Sequence, residues 1–180
     1  MPEMIRVMVI DDSIVYRSWL IRSLSEDPRF EVVGFAGNAY EANQKIPRLK
    51  PDILTLDIEM PGINGIQAAE RIREKDKKCC IIFLTAFDEF AYAKKAITVR
   101  ALDYLLKPWD EKELMLVLEE AMRMAGEEKD FQKEKTEEVS EEEKRDDPEE
   151  LAEDDAGENL RMNKVTEIIR DYIRENYMYD

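Results

Sequence analysis

Residues 51–65 read PDILTLDIEMPGING, and this stretch decides the fold. A short apolar run, Ile53 to Leu56, ends in a carboxylate, Asp57, and a proline–glycine break follows at Pro61 and Gly62. An apolar run this short, bounded by breakers, marks a strand buried on both faces. Asp57 then sits at the carboxyl end of that strand, on the edge where open α/β sheets bind ligands. Taken alone, the same aspartate also fits a helix cap or a loop. The flanking segments separate these readings.

Upstream, Ile5 to Ile10 is a β-branched strand closed by Asp11 and Asp12. Ser13 suits the cap of a helix with Ile14, Ile21 and Leu24 at helical spacing, stopped at Asp27–Pro28. Phe30 to Phe35 reads as a second strand. Asn38 followed by Glu41 is a helix-start signature, with Ala42, Ile46 and Leu49 on one face and Pro51 closing the element. Downstream, Ile66, Ala69 and Ile72 predict a helix from near Asn64. Cys79 to Leu84 is apolar throughout and reaches Thr85, a central strand. A weakly patterned helix runs from Asp88 to about Ile97, and a fifth strand from Leu102 to Leu106 ends at Lys107–Pro108. Asp110 with Glu113 starts a last helix whose stripe is Leu114, Leu118, Ala121 and Met122. The β–α unit thus repeats five times. That alternation predicts a parallel sheet with helices on both faces, and the unbroken apolar strands suit burial on both sides.

Of 180 residues 44% are hydrophobic, enough for one core, and the formal net charge is −15. The charge is uneven: residues 127–158 hold 17 acidic and 5 basic side chains, leaving the remainder near −3. Neither part has the basic balance that nucleic acid binding draws on. The chain has no histidine, which excludes histidine metal sites, a Ser-His-Asp triad and histidine-borne phosphoryl transfer within it. Cys79 and Cys80 are adjacent in an apolar run and read as small buried hydrophobes. With no leader signature and no run long enough to span a bilayer, a soluble cytoplasmic protein without membrane contact is expected.

The expected organisation is a folded domain over residues 1–126, an acidic linker over 127–158 and an amphipathic helix over 159–180. The linker has too few apolar residues to offset its ordering entropy and should be flexible and self-repelling. The alternative is partial helix from Glu128 to Arg145, where glutamates and lysines fall four apart. Val165, Ile168, Ile169, Tyr172 and Ile173 form a helical stripe with nothing after it to pack on. Such a helix docks back, self-associates or opens a domain that these residues do not complete.

The strand ends carry the chemistry. Asp11 and Asp12 close the first strand, Asp57 the third, Thr85 the fourth and Lys107 the fifth, so a parallel sheet brings them to one edge. Crowded carboxylates repel and raise a pKa unless a cation intervenes. Mg²⁺ is the natural one, accepting a few carboxylates together with waters and a phosphate. A carboxylate beside it can attack phosphorus and form an acyl phosphate. Thr85 would donate to a phosphoryl oxygen, and Lys107 would supply a compact positive charge to another. Each residue alone has a plain structural reading, as a cap, a strand end or an element stop. Their conjunction at separate strand ends does not.

Residues 4–125 resemble a two-component response-regulator receiver domain. VMVIDDS, LTLDIEMPGING, FLTAF and DYLLKPW carry the likeness. The resemblance implies a flavodoxin-like (CheY-like) fold with strand order 2-1-3-4-5. It implies that Asp57 is the phosphoacceptor, served by a sensor histidine kinase. It implies direct Mg²⁺ ligation by Asp12, Asp57 and the main-chain carbonyl of Glu59, with Asp11 acting through water. Lys107 would pair with the phosphoryl group, and its bond to Pro108 would be cis, which proline permits at modest cost. A switch is implied in which Thr85 moves toward the phosphoryl group and Tyr104 turns inward; the plain reading of Tyr104 is a core-edge aromatic. Arg100 departs from the glycine of many relatives at a left-handed helix cap.

The likeness has two flavours. IRVMVIDDS, EVVGFAGNAYEA and LKPDILTLDIEMP resemble the receivers of chemotaxis methylesterases, whereas TAFDEFAYAKKAI and ALDYLLKPWDEKEL resemble those of AraC-type and LytTR-type transcription regulators. VTEIIRDYIRENYMYD is similar to the first helix of an AraC-type helix-turn-helix domain. The recognition helices are missing, so no specific DNA binding is expected of these residues. The expectation is a non-enzymatic phosphorylation switch controlling an output, usually transcription, with a phosphorylation-dependent homodimer as a possible partner state. A stand-alone interaction switch is one alternative. An Mg²⁺-dependent phosphohydrolase is another, and the adjacent Asp11–Asp12 lacks the Asp-x-Asp spacing of those enzymes. An effector enzyme of the methylesterase type would need a catalytic domain that these residues do not supply.

Overall fold

The computed structural model describes residues 3–142, with side chains described to Thr136. Five strands, β1 (Ile5–Ile10), β2 (Phe30–Ala36), β3 (Ile53–Leu56), β4 (Cys80–Thr85) and β5 (Asp103–Leu106), alternate with five helices, α1 (Ile14–Ser25), α2 (Ala39–Leu49), α3 (Gly65–Lys75), α4 (Phe90–Thr98) and α5 (Glu111–Glu142). All strand pairs are parallel, in the order β2-β1-β3-β4-β5. This is the flavodoxin-like receiver topology expected from the sequence.

The period-two alternation of strand side chains divides the core into two layers. Met8 and Ile10 of β1, Leu54 and Leu56 of β3, and Ile81 and Phe83 of β4 pack against Ala42 of α2, Ile66, Ala69 and Ile72 of α3, and Ala96 of α4. Val7 and Val9, Ile53, Ile82 and Leu84 point the other way, onto Leu20 and Leu24 of α1 and Leu114, Val117 and Leu118 of α5. With helices over both faces, the central strands β1, β3 and β4 have almost no polar side to show, hence their near-continuous apolar runs.

Helix starts follow the expected caps. Asn38 Oδ1 accepts from the Glu41 N–H at 2.8 Å, and Asp110 Oδ1 from those of Lys112 and Glu113. Asn64 and Gln67 cap one another reciprocally at the start of α3. α4 differs from the sequence expectation: it starts at Phe90 after Glu89, with no side-chain cap. At its far end Arg100 takes the left-handed conformation, φ 53°. The Arg73 guanidinium donates to the carbonyls of Val99 at 2.8 Å and Arg100 at 3.2 Å. These bonds hold the loop in a geometry that costs a non-glycine residue about 1 kcal/mol.

α5 passes through Gly126 and continues to Glu142, so residues 127–142 of the acidic stretch are helical. The continuation is pinned where the strands begin. Lys129 Nζ lies 3.0 Å from Asp52 and 3.5 Å from Glu3, and Lys78 Nζ lies 3.1 Å from Glu128. The rest of the linker and the amphipathic helix expected over 159–180 lie outside the described residues.

Candidate functional site

The backbone ladder carries the acidic residues just past the strand ends. The Asp57 N–H donates to the Ile10 carbonyl at 2.9 Å, and the Asp11 N–H to that of Ala36 at 3.0 Å. Across the sheet, the Lys107 N–H donates to the Thr85 carbonyl at 2.7 Å. The β1–α1 turn is tightened by the Ser13 N–H donating to Asp11 Oδ1 at 2.8 Å, and by Arg17 Nη1 donating to the Asp11 carbonyl at 2.9 Å. Behind Asp57 the β3–α3 loop doubles back: the Gly65 N–H donates to the Ile58 carbonyl at 2.8 Å. A Cβ on Gly65 would stand 2.0 Å from the Asp57 carbonyl oxygen, so only glycine closes this loop without displacing Asp57.

Asp11, Asp12 and Asp57 each bring a carboxylate oxygen within 4.8 Å of the others. Asp11 and Asp57 are buried and Asp12 is exposed. Lys107 Nζ lies 2.6 Å from Asp11 Oδ2 and 3.3 Å from Asp57 Oδ2, with its side chain 4% exposed. One ammonium, paired with Asp11 and Asp57, thus stands against a cluster of three carboxylates. Burial, the largest effect, pushes the Asp57 carboxyl up to about 7, against the lowering charge of Lys107; the Asp11 charge and a hydrogen bond with Asp12 push the same way as burial. Surplus negative charge on hard oxygen donors in a small cup fits Mg²⁺.

Thr85 and Tyr104 meet elsewhere, at Phe87. The fully buried Thr85 accepts from the Phe87 N–H at 3.2 Å, and the Tyr104 hydroxyl donates to the Phe87 carbonyl. The Tyr104 ring is buried, which raises its phenol well above the usual range. Glu59 follows Asp57 in the β3–α3 loop, and its carboxylate accepts a hydrogen bond from the Tyr92 hydroxyl of α4. The Lys107–Pro108 bond is cis.

Three contributors escaped the sequence reading. Tyr16 places its ring 4.5 Å from Lys107 Nζ. Arg17 holds the Asp11 carbonyl and lies 5.1 Å over the Phe35 ring. Gly65 admits the close approach behind Asp57. The Tyr16 and Arg17 contacts depend on partners distant in sequence, and glycine beside the Pro61–Gly62 break reads as part of the same turn.

Residues 7–119 match the family described as response regulator receiver domain. The protein-glutamate methylesterase/protein-glutamine glutaminase 1 of Methanospirillum hungatei is 43% identical over 107 residues, 58% of this chain and 31% of that protein. The transcriptional regulatory protein BtsR of Escherichia coli is 43% identical over 111 residues, 62% of this chain and 45% of that protein. The chain spans less than half the length of these curated relatives. Among solved structures, the receiver domain of AraT, a response regulator from Geobacillus stearothermophilus, superposes with a TM-score of 0.65 at 32% identity, covering 71% of this chain and 99% of that one. The match stops short of residues 159–180, so the expected AraC-type helix has no counterpart in it. Parallel sheet, acidic cup and family match agree, and the chain belongs to the response-regulator receiver domains.

Proposed function

We propose that this chain is the phosphoacceptor switch of a two-component system, with Asp57 taking a phosphoryl group from a sensor histidine kinase. The observation that carries the reading is the clustering of Asp11, Asp12 and Asp57, with Asp11 and Asp57 paired to one buried ammonium, Lys107. An Asp57 carboxylate oxygen attacks phosphorus; a P–O bond forms as the P–N bond to the donor histidine breaks, leaving an acyl phosphate. Asp12, Asp57 and the Glu59 carbonyl would hold Mg²⁺ directly, and Asp11 through water. Bound there, Mg²⁺ supplies the positive charge that keeps carboxylates ionised beside phosphoryl oxygens. Lys107 exchanges a carboxylate partner for a phosphoryl oxygen, and Thr85 donates to another.

The switch then runs through Phe87. Thr85 holds its N–H and Tyr104 its carbonyl, so a Thr85 hydroxyl drawn to the phosphoryl group releases one side of a residue that Tyr104 still grips. The β4–α4 connection is the element so biased. Relatives of this receiver bear names of a transcription regulator and of a methylesterase. The transcription-regulator flavour of the later segments and the likeness to the transcriptional regulatory protein BtsR favour transcription control as the output. No helix among the described residues is long and apolar enough to cross a membrane, and a cytoplasmic setting suits a kinase partner. A phosphorylation-dependent homodimer is the further partner state to examine, by scattering with and without a phosphoryl mimic.

Incubation with Mg²⁺ and a small phosphodonor tests the reading. A stoichiometric, slowly decaying phosphoprotein is expected, absent in Asp57→Asn, which keeps the wild-type circular dichroism. Labelling that survives in Asp57→Asn reassigns the acceptor, and continuous release of phosphate identifies a phosphohydrolase instead.

A further inference from the structure

We infer that Tyr16 is a positioning residue for Lys107, its ring anchoring the ammonium while the carboxylate partners of that ammonium change. The inference rests on the proposed pairing of Lys107 with the phosphoryl group.

The Lys107 side chain is almost sealed from solvent, and its charge meets the Asp11 and Asp57 carboxylates and the face of the Tyr16 ring. A desolvated ammonium over an aromatic ring is held by the ring quadrupole. Such a holder differs from a carboxylate in one useful way: it accepts no classical hydrogen bond. The three N–H donors of Lys107 therefore stay available to oxygen. A carboxylate that fixed Lys107 equally well would compete with the incoming phosphoryl oxygens; the ring does not.

The ring is itself braced. Tyr16 lies 5.5 Å from Trp109 at 49°, and Trp109 stacks on Trp19 at 4.8 Å and 16°. Tyr16 and Trp19 stand one helical turn apart on α1, whereas Trp109 follows Lys107 by two residues and is buried. The aromatic wall thus ties the start of α1 to the β5–α5 connection that carries Lys107. A tyrosine that merely fills the core edge would be replaced by leucine at little loss to the site, and this separates the two roles.

The test uses the full chain, with Tyr16→Leu, Tyr16→Phe and Lys107→Ala. With ¹³C-labelled lysine, the Lys107 ε-methylene resonance of wild type should be displaced upfield by the ring. The displacement should persist in Tyr16→Phe and vanish in Tyr16→Leu. Phosphorylation by a small phosphodonor should slow about tenfold in Tyr16→Leu and stay within about twofold in Tyr16→Phe, the scale of one desolvated cation–π contact. In the Lys107→Ala background, Tyr16→Leu should cost nothing further. An undisplaced Lys107 resonance in wild type overturns the inference, as does an equal loss with and without Lys107. A wild type that takes no phosphoryl group refutes the reading of Asp57 instead, and the lysine resonance still decides the role of Tyr16.

Discussion

Two lysine–aspartate pairs mark the two edges of the sheet, under different conditions. At the carboxyl edge Lys107 meets Asp11 at 2.6 Å, with side chains 4% and 5% exposed. At the amino edge Lys129 meets Asp52 at 3.0 Å, with side chains 24% and 16% exposed. The amino-edge group is more open to water, where surplus charge is screened: the Asp52 carboxylate also accepts the Arg6 main-chain N–H at 2.9 Å, and Lys129 also reaches Glu3. Its effect is local, fastening the extended α5 to the base of β3. The carboxyl edge is overcharged, with three carboxylates against one ammonium, and the Asp57 carboxyl is pushed up to about 7. Buried charge left in excess does not stabilise a fold. The comparison teaches that one edge uses ion pairs to hold structure, while the other keeps a surplus of buried negative charge, which on the proposed function a cation and a phosphoryl group would meet.

The contrast can be broken or sharpened by substitution. The largest effect is expected from Gly65→Ala, whose new Cβ meets the Asp57 carbonyl at 2.0 Å. Chemical denaturation should show a loss of about 4 kcal/mol, and Mg²⁺ affinity should fall with it; wild-type affinity would mean that the loop relaxes away from Asp57. Next is Lys107→Ala. Leaving Asp11 and Asp57 buried without their cation should cost about 3 kcal/mol in metal-free protein. Metal binding should persist and recover much of that stability, whereas phosphorylation should no longer produce a response. An unchanged response would remove Lys107 from the mechanism.

The pH dependence is smaller. The Asp57 carboxyl stands at about 7 in the fold against an ordinary 3.8. Between those values the folded chain holds a proton that the unfolded chain has lost. Metal-free stability should therefore fall as pH rises from about 4 to 7, by on the order of 2 kcal/mol once the full shift of about 4 kcal/mol is discounted for water reaching the cup at exposed Asp12. Urea titrations at several pH values should show this slope, flattened in Asp57→Asn and by added Mg²⁺. A slope that survives in Asp57→Asn would belong to other groups. Smallest is Lys129→Ala at the amino edge, about 0.5 kcal/mol and weaker in high salt, with unaltered phosphorylation. A change in phosphorylation there would couple the two edges.

The sequence disclosed the carboxyl edge far better than the amino edge. β1 and β3 fall on the expected residues, because a buried parallel strand is written as an apolar run ending in a polar one. Parallel strands end together, so Asp11, Asp12, Asp57 and Lys107 could be assembled from strand ends alone. The Lys107–Asp11 contact, across 96 positions, follows from topology. What topology does not determine stayed hidden. The Tyr16 ring reaches Lys107 only through the rotation of α1. The continuation of α5 beyond Gly126 is legible only as the alternative of partial helix from Glu128 to Arg145; the local Arg123–Glu127 pair and the tertiary contacts of Lys129 with Asp52 and Glu3 offset the helix-interior glycine. The resemblance implies that Thr85 and Tyr104 are switch residues, and their shared hold on Phe87 is visible only in three dimensions.

The most direct test is to locate the phosphoryl group itself. After incubation with Mg²⁺ and a small phosphodonor, the wild-type chain is reduced with borohydride to trap acyl phosphate, digested and sequenced by mass spectrometry. One modified residue per chain is expected, Asp57, and none when Mg²⁺ is chelated. Modification at another residue, or undiminished modification of Asp57 without the cation, would contradict a metal-holding cup built from Asp11, Asp12, Asp57 and Lys107.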